Sequence, residues 1–185
     1  MKSEKIIAII TGPSAVGKTT IAKEVLRRLK SFKASTTYTT RPKRDKDTED
    51  KIMYYVSETE FRSMIDDDQF IEWAQVHDNF YGTSKKALEE TLKTHNVLMN
   101  IDVQGAKIIK KKFAKHISIF ILPEHIEDIA SRIQQRDMTK IMKNLRIENA
   151  KLEMSQADHF DYKIVNYNNK IELAIEKIVK ILAKY

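Results

Sequence analysis

The chain has 185 residues, with 33 Lys+Arg against 26 Asp+Glu and a formal net charge of +7. That length suits one domain with room for a small inserted subdomain, and 42% hydrophobic with 32% charged residues excludes a disordered or membrane-spanning composition. The absence of cysteine excludes disulfides, zinc-thiolate sites and thiol catalysis.

Residues 5–11 (KIIAIIT) form a continuous apolar run that predicts a buried β-strand; the run is far too short for a transmembrane helix or a signal-peptide core. No targeting segment is recognised, and the expected location is cytoplasmic. Helices are predicted over 18–30, 58–66, 84–93, 104–113, 124–136, 142–157 and 171–183. Buried strands are predicted over 97–101 and 117–122, with a shorter one at 162–165. Ser57-Glu58-Thr59-Glu60 has the form of a capping box, and Ile171, Ile175, Ile178 and Leu182 make an amphipathic stripe. Strands separated by helices imply a parallel sheet. Residues 35–84 break this rhythm, being polar, turn-rich and aromatic, and read as an insertion that holds a second substrate.

Only four glycines occur, Gly12, Gly17, Gly82 and Gly105, against the average of about 7%. Two of them stand in Gly12-Pro13-Ser14-Ala15-Val16-Gly17-Lys18-Thr19, which matches G-x-x-x-x-G-K-[ST], the phosphate-binding loop. The spacing lets consecutive backbone N–H groups curl round a phosphate while the next helix offers its positive end. Lys18 can reach β/γ-phosphates, and the Thr19 hydroxyl can ligate Mg²⁺. A pI near 9.4 fits attraction of a small anion, binding to nucleic acid, or simply a lysine-rich surface.

The motifs GPSAVGKTT, TTRPKR, FIEWAQVHDNFYGTS, NIDVQGAK, ISIFILP and DYKIVN together resemble those of guanylate kinases over nearly the whole chain, with residues 70–84 the most specific. The resemblance implies an α/β fold: a P-loop NTPase-type parallel sheet flanked by helices, with an inserted small GMP-binding α+β subdomain and a helical lid. The core would comprise 1–34, 94–125 and 158–185, the insert about 35–93 and the lid about 126–157. It implies Mg²⁺-dependent transfer of the ATP γ-phosphoryl group to GMP. ATP and GMP are then the expected ligands of a monomer or weak homo-oligomer, with no nucleic-acid or membrane partner.

Carried onto single residues, the resemblance places the donor phosphates on Gly12, Pro13, Ser14, Ala15, Val16, Gly17, Lys18, Thr19 and Thr20. Arg41 and Arg44, flanking Pro42, fall on positions that bind the GMP phosphate, as does Tyr81; two guanidinium groups at that spacing suit a phosphate dianion. Glu72 falls on the guanine reader, since a carboxylate can accept from the ring N1–H and the exocyclic amine; the plain alternative is a surface Glu beside a core Trp73. Thr83 matches a base-contacting hydroxyl and Thr37 lies near another. Asp102 follows the strand 97–101 at the carboxyl edge, where open α/β sheets bind ligands. There it can hold Mg²⁺ opposite Thr19 and border the GMP site, or serve only as a buried helix cap. Arg132 and Arg136, four apart, and Arg146 at the start of the next predicted helix are the lid cations that would neutralise charge spreading in phosphoryl transfer.

The chain departs from the family pattern at several positions. Ala15 stands where the family usually has Gly, and Met53 where it carries a phosphate-binding tyrosine, leaving Tyr54 or Tyr55 to substitute. Asn100 replaces an acidic residue, and Tyr167-Asn168 replaces an Asn/Asp pair. A non-catalytic interaction module and a kinase for another nucleoside monophosphate are the competing readings.

Overall fold

The computed structural model describes residues 4–43, 52–135 and 138–185. Five strands form a wholly parallel sheet: β1 (Ile7–Thr11), β2 (Phe32–Ala34), β7 (Asn96–Asn100), β8 (His116–Pro123) and β9 (Tyr162–Asn166), in the order β2-β7-β1-β8-β9. All five β1 residues are buried, because helices cover both faces and leave no solvent side to a central strand.

On one face Ala8, Ile10, Ile119 and Ile121 pack against Ile21 and Val25 of α1 (Lys18–Arg28). The same cluster takes Ala174, Ile175, Ile178 and Leu182 of α7 (Ile171–Leu182). Each such buried aliphatic side chain contributes about 1.5–3 kcal/mol relative to exposure. On the other face Ile7, Ile9, Met99 and Phe120 meet Val103, Ala106 and Ile109 of α4 (Val103–Lys112) and Leu88 of α3 (Lys85–Leu92).

The insert carries a second sheet. Strands β3 (Thr37–Thr39), β4 (Met53–Tyr55), β5 (Phe70–Val76) and β6 (Asn79–Ser84) lie in the order β4-β3-β6-β5. One face is closed by α2 (Glu58–Asp66), whose Phe61 stacks on Phe70 and Phe80 at ring distances of 4.6 and 5.5 Å. The predicted cap of α2 forms, Ser57 Oγ accepting from the Glu60 N–H. The last two helices before β9 are α5 (Ile126–Gln134) and α6 (Lys140–Met154).

The predicted elements are all present, with no end shifted by more than three residues. Helix α6 begins at Lys140 rather than 142, so Arg146 lies within its second turn and does not start it; residues 157–159, beyond its end, form a separate 3₁₀ turn. Helix α5 stops at Gln134 with Arg132 in its last turn; the expected pairing of Arg132 with Arg136 on one helix face falls on Arg136, which lies outside the described residues. Among the described residues no helix is long and apolar enough to cross a membrane.

Candidate active site

Residues 12–17 carry the chain from β1 into α1. Gly12 has φ +141°, and a Cβ there would lie 2.4 Å from the Ile121 carbonyl oxygen, so both conformation and space demand glycine. Ala15 takes the left-handed conformation at φ 65° without being glycine, at a cost of about 1 kcal/mol. Gly17 caps α1 at φ 101° with no side-chain cap, which leaves the first-turn amides to another acceptor. From below, Asn166 Nδ2 donates to the Val16 carbonyl at 2.8 Å. The buried Asn166 Oδ1 and Thr11 Oγ1 find no hydrogen-bond partner.

Lys18 Nζ donates to the carbonyls of Gly12 (2.6 Å) and Pro13 (2.9 Å), spanning the loop's mouth. Thr19 and Thr20 are exposed, and Asn100 Nδ2 donates to Thr19 Oγ1 at 3.4 Å. Strand β7 ends at Asn100, one residue short of the predicted end. Asp102 is then the N-cap of α4, its Oδ1 accepting from the N–H groups of Gln104 (2.7 Å) and Gly105 (3.2 Å). It is half-buried rather than buried. Thr19 and Asp102 offer the hard oxygens Mg²⁺ prefers, and no group of three or more His, Cys, Asp or Glu among the described residues forms a metal site. That donor set suits an ion that keeps most of its waters and takes the rest of its ligands from phosphates.

The insert sheet sorts its side chains by alternation. Met53, Thr37, Thr83 and Glu72 are paired in register across the sheet, and Tyr55, Thr39, Tyr81 and Ala74 form the next row on the same face. The opposite face, under α2, carries Tyr54, stacked on Tyr38 at 5.0 Å. Glu72 is 5% exposed whereas Trp73 is 41% exposed, the reverse of a surface Glu beside a core Trp. The Thr83 hydroxyl donates to Glu72 Oε1 at 2.6 Å. Burial pushes the Glu72 carboxyl up to about 7, with the nearby Asp102 charge adding to the rise and the Thr83 bond opposing it.

Gly105 of α4 lets this carboxylate approach the core: a Cβ there would lie 2.4 Å from Glu72 Oε2. Arg41, just past β3, donates its backbone N–H to Thr39 Oγ1 (3.1 Å) and places Nη2 3.4 Å from the Tyr55 hydroxyl and 3.9 Å from Met53 Sδ. Arg44 and Arg136 lie outside the described residues.

In α5, Arg132 Nη1 donates to the Ala15 carbonyl at 3.0 Å and Nη2 to Asn168 Oδ1 at 2.9 Å, so this cation is docked on the phosphate loop. Glu153, in the last turn of α6, also reaches the loop, accepting from the Ser14 N–H and facing Lys18. Burial raises its carboxyl above the usual range despite both partners. Glu153 does not stand out in the sequence, since helix-face carboxylates are ordinary there, and Tyr55 enters it only beside Tyr54 as a substitute for the tyrosine replaced by Met53.

A glycine-framed loop feeding a helix, a second sheet carrying a buried carboxylate and a cation on one face, and an arginine-bearing helical pair docked on the loop define a P-loop nucleoside monophosphate kinase. The family model described as Guanylate kinase matches residues 4–185. The chain belongs to the guanylate kinase family. It is 40% identical over 176 residues to a guanylate kinase of Thermotoga maritima, covering 94% of this chain and 84% of the relative. It is 38% identical over 184 residues to one of Prochlorococcus marinus subsp. pastoris, covering 98% and 99%. The crystal structure of guanylate kinase from Anaplasma phagocytophilum superposes with a TM-score of 0.81 at 30% identity, over 100% of this chain and 87% of that one. The activity is therefore that of a guanylate kinase, an enzyme transferring a phosphoryl group from ATP to GMP.

Proposed function

We propose that the two substrates meet between the loop 12–20 and the insert sheet, with the residues dividing the work as follows. The loop amides and Lys18 hold the ATP β/γ-phosphates. Thr19 and Asp102 would supply oxygens to Mg²⁺, which when bound neutralises phosphate charge. Arg41, Arg44 and Tyr81 grip the 5′-phosphate of GMP, and Glu72 accepts from guanine N1–H and N2–H, with Thr83 and Thr37 beside it. The lid cations Arg132, Arg136 and Arg146 cover the γ-phosphate as negative charge spreads over its oxygens, and the closed lid excludes water as a competing acceptor.

The observation that carries the reading is the buried Glu72, anchored by Thr83 one strand step from the row that holds Tyr81 and Tyr55 beside Arg41. Two residues along a strand span about 7 Å, which suits a purine edge at one row and its phosphate at the other. Adenine would turn the lone pair of its N1 toward the carboxylate, so a guanine acceptor follows. Lys18 and Thr19 in an intact loop speak for catalysis over a binding-only module. The core, insert and lid boundaries given above, a monomeric or weakly associating state and a cytoplasmic location complete the reading.

A coupled assay of ADP release with GMP, AMP, dTMP and UMP tests it. Turnover fastest with GMP is expected; no turnover with any acceptor, or a pyrimidine or adenine acceptor used faster, overturns it.

A further inference from the structure

We infer that Lys112 is a positioning residue for the acceptor base: from α4 it clamps the carbonyl of a bulged residue, Ile71, and so fixes the stretch of backbone that aims Glu72 into the cleft. The inference rests on the reading of Glu72 given above and concerns a residue to which that reading gives no role. Strand β5 pairs Phe70 with Ser84 and Glu72 with Thr83, so Ile71 is an extra residue on its side of the ladder. In a regular strand, residues 70 and 72 would share a face. Here Phe70 stacks on Phe61 under α2, whereas Glu72 accepts from Thr83 on the cleft face. The extra residue at 71 is what turns the carboxylate over.

A bulge takes backbone polar groups out of the ladder, and they need other partners. The core supplies one: Lys112 Nζ donates to the Ile71 carbonyl at 2.5 Å. The Ile71 side chain packs on the cluster that holds Ala106 and Ile109 of α4. Gly105, whose missing Cβ makes room for Glu72 Oε2, stands seven residues before Lys112, about two turns along the same side of α4. One core helix thus meets the carboxylate at Gly105 and the bulge at Lys112. Burial and the Asp102 charge raise the Glu72 carboxyl, and the Lys112 charge opposes them together with the Thr83 hydrogen bonds. The neighbouring lysines turn elsewhere: Lys107 donates to Gln156 Oε1, Lys110 to Ser118 Oγ and the His159 carbonyl, and Lys115 to Glu4.

The competing role for Lys112 is a surface side chain whose bond adds a little stability and nothing more. Lys112→Met separates the two, because it keeps most of the stem and deletes donor and charge. The expected result is a KM for GMP and a competitive inhibition constant for guanosine that rise together, about fivefold. The rise in both locates the effect at the base, and kcat and the KM for ATP should stay within about twofold of wild type. Lys112→Arg, which keeps a charged donor, should remain within about twofold of wild type throughout. Lys111→Met removes the same charge from the same turn and should match wild type. A KM for GMP within about twofold of wild type in Lys112→Met, an equal rise for ATP, an equal rise in Lys111→Met, or a Lys112→Arg as impaired as Lys112→Met overturns the assignment. Unchanged guanosine inhibition in Glu72→Gln sinks the guanine reader and the Lys112 role together; a large loss there with an indifferent Lys112→Met sinks only the latter.

Discussion

Thr83 gives its hydroxyl proton to Oε1 of Glu72 at 2.6 Å, and both residues are buried, Thr83 completely and Glu72 to 5% exposure. Hydrogen bonds from the hydroxyl and the backbone of Thr83 do not repay the desolvation of a carboxylate, and the remaining deficit appears as a carboxyl pushed up to about 7 by burial. The ligand-free site is thus poised for donors, and a guanine edge supplies two. With guanosine, whose lack of phosphate removes a competing titration, affinity should fall as pH drops through 7 and Glu72 protonates. In Glu72→Gln that pH dependence should vanish and affinity drop by about a hundredfold. A pH-independent wild-type constant between 5.5 and 8 would count against an ionised reader.

The same shift carries a stability consequence of opposite sign. The folded-state value lies above the ordinary value of 4.5, so the native state holds its proton more tightly than the unfolded chain. The resulting stabilisation is fully present below pH 4.5 and is lost as pH rises through 7, to a total of about 3 kcal/mol. Ligand-free Glu72→Gln, which never ionises, should therefore melt several degrees above wild type at pH 8, although it binds GMP poorly. Equal melting temperatures at pH 8 would show that the carboxylate is paid for elsewhere in the fold.

Gly105 faces this carboxylate from the core side. A methyl group in its place would sit 2.4 Å from Glu72 Oε2 and 3.5 Å from Asp102 Oδ2. Since Gly105 lies in α4, alanine gains helix propensity of up to about 1 kcal/mol while displacing the reader. Gly105→Ala should keep its melting temperature and its KM for ATP, yet raise the KM for GMP at least tenfold. An unchanged KM for GMP would mean that Glu72 moves aside without leaving the guanine edge.

The core was legible where burial is continuous. Runs such as IAIIT and ISIFIL leave no doubt about β1 and β8, and the loop motif follows from the four glycines. The three-residue strand β2 (Phe32–Ala34) is too short for any periodicity and escapes a reading by pattern. In β5 a register shift between Phe70 and Glu72 breaks the alternation: Phe70 packs under α2, while Glu72 and Ala74 are buried on the other face and Trp73 is 41% exposed. A buried polar residue defeats a pattern built on apolar burial, so the misleading position is the one proposed to read guanine. Likewise Asp102 both caps α4 and borders the site, two roles that the sequence offers only as alternatives.

Gly12 tests the frame of the loop and not its chemistry. Its φ of +141° and the Ile121 carbonyl 2.4 Å from a would-be Cβ leave no relaxed position for a methyl group, because the obstacle is backbone in the central sheet. Gly12→Ala should lower stability by about 3 kcal/mol or more, read as a melting temperature lower by roughly ten degrees. A loss below about 1 kcal/mol would show that β8 can yield.

Lys18 tests the chemistry with the frame intact. Its half-buried ammonium bridges the carbonyls of Gly12 and Pro13 and faces the Glu153 carboxylate, and none of these contacts is part of the hydrophobic core. An incoming triphosphate competes for the same cation, because its charged oxygens bind an ammonium more strongly than neutral carbonyls do. Lys18→Ala should therefore leave the circular dichroism spectrum unchanged and the melting temperature within about three degrees. It should lower kcat by about a thousandfold, the scale seen when one donor to developing charge is removed. GMP affinity, set on the insert sheet, should hold within about twofold. Activity within tenfold of wild type would move the charge stabilisation to the lid arginines, and a loss of GMP binding would show that the loop and insert are coupled through the closed lid.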